Sequence, residues 1–230
     1  MQNEYQCIGK RYNGEPAVIS LTSWRGRIST VGLTIYSLLK NCPGYHIVLV
    51  LSIDEFKSKQ DELPCVLVDL VNARLIEILW VQHNYKSFKK VLFTMDKYRT
   101  VPIISADDDC FYTKNYSSML YNHWLGCKNA IVTDVAHTDG KYKWCCGAST
   151  LYPPFVFGTY ALKHINVQYN NNDDAYLCAC ANRLNIPVVA MNIPLCNYSV
   201  FHDMNQPLSA NGYNATDDII RYLNLVKCDE

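Results

Sequence analysis

The stretch Val101-Pro-Ile-Ile-Ser-Ala-Asp-Asp-Asp-Cys-Phe-Tyr-Thr113 passes from an apolar, β-branched segment straight into three consecutive carboxylates. A short apolar run bounded by polar residues reads as a buried strand, here Val101 to Ala106. Stripping water from adjacent like charges is prohibitive without a cation, so Asp107, Asp108 and Asp109 cannot extend the core. A positive partner belongs beside them. Hard divalent ions such as Mg²⁺ or Mn²⁺ take oxygen ligands from carboxylates and phosphates together, so a metal-bridged diphosphate is one occupant. A solvated acidic turn or helix cap is the alternative.

Outward from this strand, three further runs have the same character: Ala17 to Thr22, His46 to Ser52 and Leu75 to Val81. Between them, Ser29 to Asn41 and Ser87 to Arg99 read as helices, the second with Phe88, Val91, Leu92, Met95 and Tyr98 on one face. Strands alternating with helices predict a mostly parallel central sheet flanked by helices. Right-handed crossovers then gather the strand carboxyl ends on one edge, where ligands bind, and Thr22 shares that edge with Asp107. Beyond the aspartates the sequence predicts a helix over Asn115 to Trp124 and a strand over Asn129 to Val135. A loop rich in Gly, Cys and aromatics follows, through Phe157. A helix from Asp173 to Leu184, capped by Asn172, precedes the apolar run Pro187 to Met191 and a terminal helix over Thr216 to Val226.

With 230 residues and 49% apolar composition, the chain suits one α/β domain rather than two. Its 21 basic residues balance its 21 acidic ones, so no overall field draws nucleic acid or an anionic membrane. Met1 to Asn13 carries Glu4, Lys10 and Arg11 and has no signal-peptide core, and no apolar run approaches the ~20 residues of a membrane span. The eleven cysteines are odd in number and lack paired Cys-x-x-Cys spacing, which predicts reduced structural thiols and a cytoplasmic location.

Several blocks resemble a family of bacterial surface-polysaccharide glycosyltransferases. Ser87-Phe-Lys-Lys-Val-Leu, its helix, and the strand ending in Ala106-Asp-Asp-Asp resemble the family's S-Y/F-K-K-L helix and A-D-D-D strand. Val18-Ile-Ser-Leu-Thr-Ser-Trp-Arg-Gly-Arg-Ile resembles its S-L-T-S-x-x-x-R-I opening, Leu151-Tyr-Pro-Pro its L-Y-P-P turn, and Asn172-Asp-Asp-Ala-Tyr-Leu its late D-D-x-x-L motif. The blocks keep the family's order across about residues 16–190.

The resemblance implies a single GT-A domain over residues 1–230, with a nucleotide-binding half at about 16–110 and an acceptor-binding half at about 111–230. The triplet becomes a D-x-D-type motif, with Asp109 as direct ligand of Mn²⁺ or Mg²⁺, Asp107 contacting metal or nucleotide, and Asp108 supporting either. The implied donor is a UDP- or GDP-sugar and the acceptor a glycan or lipid-linked glycan, with the enzyme cytoplasmic or peripheral at the inner face of the membrane.

Thr22, Ser23 and Arg27, just past the first strand, are candidate donor-site residues; a helix cap with surface arginines is the plainer reading. Ser87, Lys89 and Lys90 open a helix where cations are unfavourable unless an anion is near, so a role on the donor diphosphate competes with a solvated face. Adjacent lysines point about 100° apart on a helix and should not reach one ligand together. Asp173 or Asp174 would be the general base of an inverting transferase, although helix N-termini favour carboxylates in any case. His202 is a candidate metal ligand, against the commoner fate of a hydrogen-bonded surface histidine. Two rivals remain: a metal-dependent nucleotidyltransferase or phosphohydrolase using the same carboxylates, and a non-catalytic nucleotide- or glycan-binding module on the same fold.

Overall fold

Seven consecutive residues, His46–Ser52, are buried, as a strand covered on both faces requires, and this strand lies inside an eight-stranded sheet. The computed structural model describes residues 5–139, 142–145, 148–165 and 172–198. In chain order the elements are β1 (Gln6–Gly9), β2 (Val18–Thr22), α1 (Val31–Asn41), β3 (His46–Ser52), α2 (Cys65–Asn72) and β4 (Glu77–Val81). A 3-10 turn (Lys86–Phe88) and a π-helical turn (Lys89–Phe93) then run into α3 (Thr94–Lys97), β5 (Ile103–Ala106), β6 (Cys110–Tyr112) and α4 (Tyr116–Leu125). The remainder is β7 (Ile131–Thr133), β8 (Ala136–Asp139), β9 (Tyr142–Cys145), β10 (Thr150–Tyr152), α5 (Tyr160–Lys163), α6 (Asp173–Arg183), β11 (Val188–Ala190) and β12 (Cys196–Tyr198).

The sheet order is β1-β4-β3-β2-β5-β10-β7-β11. The four predicted strands form its parallel centre, β4-β3-β2-β5, while β1 and β10 pair antiparallel with their neighbours. Pairing of Leu21 with Ala106 brings Thr22 level with Asp107 on the carboxyl edge. β10 runs antiparallel between β5 and β7, so the chain leaving β7 emerges on that same edge. One apolar core, with Ile35, Leu38, Leu67 and Leu120, fills the face under α1, α2 and α4; the other, with Phe88, Val91, Phe157 and Tyr176, lies under Lys86–Lys97 and α6.

The segment read as one helix over Ser87 to Arg99 is therefore composite, its middle turn π-helical rather than α-helical. The loop predicted up to Phe157 contains the β8–β9 hairpin and β10. Cys7, Cys42, Cys65, Cys110, Cys127, Cys178, Cys180 and Cys196 are free thiols. Among the described residues no helix is long and apolar enough to cross a membrane. The terminal helix expected over Thr216 to Val226 lies outside the described residues.

At the amino edge, the Glu77 carboxylate is buried among His46 Nε2 at 2.9 Å, the Tyr98 hydroxyl at 2.5 Å and the Lys97 ammonium. Burial alone would push Glu77 up, but these three donors outweigh it and hold it below the usual glutamate value. A carboxyl depressed on folding contributes stability above its unfolded value, about 4.3, and loses that contribution as the pH falls. Glu77→Gln should therefore lower the melting temperature at pH 7, with the gap to wild type shrinking as the pH falls towards 3. A gap independent of pH would show that packing, not ionisation, sets Glu77's contribution.

Candidate functional site

β5 delivers the aspartates to the carboxyl edge, and each takes a different partner there. Asp108, buried at the turn, accepts from Ser23 Oγ at 2.6 Å and from Arg27 Nη1 at 2.8 Å. The same Arg27 nitrogen reaches Asp109 Oδ2 at 2.9 Å. Asp107 Oδ1 accepts from Lys90 Nζ at 2.6 Å, and that ammonium also stands 3.2 Å from Asp173 Oδ2 at the start of α6. Backbone anchors fix the turn: Thr34 Oγ1 donates to the Asp108 carbonyl, and the Asp107 N–H donates to the Tyr112 hydroxyl, which itself donates to the Ala148 carbonyl.

Lys90 is the hinge of this arrangement. Burial pulls its ammonium down, but Asp107, Asp173 and Asp174 outweigh that effect and raise it well above the ordinary lysine value, so it stays charged. Lys89 turns the other way, to Glu55 Oε2 at 3.1 Å and Asn84 Oδ1 at 2.8 Å, and burial lowers its pKa against the pull of Glu55 and Asp108. Arg27 is raised: the attraction of Asp108 and Asp109 overcomes the cost of its burial.

The positive charge that the triplet demands thus comes in part from the chain itself. Among the described residues, the four carboxylates of Asp107, Asp108, Asp109 and Asp173 pair with two cations, Lys90 and Arg27, so carboxylates outnumber the cations that touch them. Ligand atoms of Asp107, Asp109 and Cys110 lie within 4.8 Å of one another, a spacing that suits a metal ion. A thiol is a soft donor and Mg²⁺ and Mn²⁺ are hard, so the carboxylate oxygens of Asp107 and Asp109 are the fitting pair.

The remaining predicted residues fall as follows. Thr22 is at the edge, but its hydroxyl donates to the Val50 carbonyl at 2.7 Å. Ser87 sits in the 3-10 turn just ahead of the two lysines. Asp173 is buried and Asp174 half-buried in the first turn of α6, where Asn172 Oδ1 accepts from the Ala175 N–H and caps the helix. His202 lies outside the described residues. Sequence reading missed Glu55 and Asn84, which hold Lys89, and Asp134, which ends β7 on the same edge and accepts from the Val135 and Leu195 N–H groups. No local spacing signals those long-range partners.

No family model and no curated protein matches the chain. Among solved structures it is similar to S. aureus TarS, a glycosyltransferase, with a TM-score of 0.52 at 10% sequence identity. The match covers 80% of this chain and 36% of TarS, so the chain spans about a third of that protein's length. At this identity the likeness speaks for the fold, and the fold is a GT-A-like α/β arrangement.

Proposed function

We propose that the chain is a metal-dependent glycosyltransferase that moves a sugar from a UDP- or GDP-sugar to a glycan or lipid-linked acceptor, on the cytoplasmic side, in surface polysaccharide synthesis. One observation carries the reading: the excess carboxylate charge at the carboxyl edge of a GT-A-like sheet, tied through Lys90 to the first turn of α6. A divalent ion held by Asp107 and Asp109 would supply charge stabilisation for a departing nucleoside diphosphate. Free thiols fit a reducing compartment. Residues 16–110 would bind the donor and 111–230 the acceptor.

Among the cations, Arg27 is the best placed to meet phosphate, because its side chain is 18% exposed while those of Lys90 and Lys89 are 6% and 1% exposed. Ser23 and Lys90 orient carboxylates, and Ser87 and Lys89 shape the wall beside them. In transfer, Asp174 would take the acceptor hydroxyl proton as that oxygen bonds to the anomeric carbon and the bond to the diphosphate breaks. Asp173, held 3.2 Å from the Lys90 ammonium, is the less available of the two to an acceptor.

Removing one hard oxygen ligand should uncouple nucleotide from metal. In calorimetric titration with Mn²⁺, Asp109→Ala should weaken UDP or GDP binding at least about tenfold, to the level wild type shows in EDTA. Equal nucleotide affinity for wild type in EDTA and in Mn²⁺ would end the metal reading. Nucleotide turnover without any sugar acceptor would point to a phosphohydrolase instead.

A further inference from the structure

We propose that the opposite, amino edge of the sheet carries a second ligand site, a pocket for a phosphate-bearing anion built from Lys10, Arg11, Arg74 and Lys97. The cavity there has a volume of about 770 Å³ and, among the described residues, sets those four cations against one lining carboxylate, Glu77. The chain as a whole is neutral, so this is a local concentration of positive charge in a concave surface, the arrangement that focuses an anion. It lies the length of β4 from the aspartates, roughly 16 Å for five residues at strand rise, so it is separate from the donor site.

Each cation is held there by a specific device. β1 ends at Gly9, whose φ of +97° turns the chain so that the Lys10 N–H reaches the Ile76 carbonyl at 2.8 Å; a Cβ on Gly9 would stand 2.3 Å from that oxygen. The turn brings Lys10 and Arg11 to the pocket. Lys10 pairs with Glu15 at 2.8 Å, and Lys97 binds Glu77 while lying 4.7 Å from the centre of the Tyr98 ring. Those pairings fix two cations and leave the positive excess to the exposed Arg11 and Arg74.

Arg74 is the telling residue. It follows the end of α2 with φ +54°, its N–H bonded to the Val71 carbonyl and the Leu75 N–H to the Leu70 carbonyl, the closing motif whose left-handed position favours glycine or asparagine. An arginine there is a strained choice that helix termination does not explain, and Arg74 lines the pocket. Arginine also binds phosphate through two parallel hydrogen bonds, which a compact ammonium cannot match.

Strain and function can therefore be pulled apart experimentally. Arg74→Gly should keep or raise the melting temperature, because glycine relieves the left-handed backbone, and should weaken inorganic pyrophosphate binding about tenfold by calorimetry at low salt. Arg11→Ala should weaken it to a similar degree. EDTA throughout keeps a metal at Asp107 and Asp109 from contributing, so the outcome is independent of the transferase reading. In parallel, flotation with vesicles of phosphatidylglycerol in phosphatidylcholine distinguishes a lipid headgroup from a soluble phosphate as the source. Loss of either binding in both variants, with stability retained, supports the site. Unchanged affinity in both variants, or no binding of wild type to pyrophosphate or to vesicles, overturns it.

Discussion

Lys90→Met should lower folding stability by about 3 kcal/mol at pH 7, and the deficit should narrow on acidification. Lys90 Nζ is buried between Asp107 and Asp173, and removing one partner of a buried ion pair costs about 3–5 kcal/mol because the other charge is stranded. The lower end applies because the Asp107 side chain is 30% exposed and regains some water. Methionine keeps the stem's volume, so little of the loss comes from a cavity. Protonation removes the stranded charge, so the gap to wild type should narrow as the pH falls. Urea unfolding at pH 7.5 and pH 4.5 measures both quantities. A loss that is the same at the two pH values would make Lys90 a packing residue rather than a charge clamp.

The parallel centre of the sheet was legible because its strands are buried on both faces and so read as unbroken apolar runs; His46 to Ser52 matches β3 at both ends. β1 escaped notice because it is an edge strand of half-polar composition, Gln6-Cys-Ile-Gly9, with exposed first residues. α2 escaped because Cys65-Val-Leu-Val-Asp-Leu-Val-Asn72 is rich in β-branched residues, which blur helical period. The π turn at Lys89–Phe93 left no trace either, since Phe88, Val91, Leu92 and Met95 show the same three-to-four spacing in a composite helix as in a regular one.

The site was half legible. Three adjacent aspartates after a buried strand announce a demand for positive charge, and local order places them on the ligand edge. What sequence cannot announce is that Arg27, more than eighty residues earlier, answers Asp108 and Asp109, or that Lys90 joins Asp107 to Asp173. Such pairings depend on register between elements, not on spacing within them. The divergence of Lys89 and Lys90 follows from local geometry, whereas their partners do not. The internal cations also change what a metal must do. Under the proposed function a metal would offset only the remaining negative charge, and an anionic diphosphate would bind with it rather than before it.

Asp174→Asn should reduce turnover by roughly 10²- to 10⁴-fold while leaving donor affinity and melting temperature nearly unchanged. A base acts on the acceptor proton in the transition state, so its removal appears in kcat rather than in the donor KM. Asparagine keeps the side chain's shape, and the cap from Asn172 to the Ala175 N–H does not involve residue 174. Asp173→Asn makes the contrasting case. It strips a carboxylate from the buried Lys90, so activity and stability should fall together. The pair of variants, assayed with the cognate acceptor and melted in parallel, separates a chemical role from a structural one. If Asp174→Asn loses stability in step with activity, residue 174 is part of the scaffold; if both variants transfer at near-native rates, the base is neither residue.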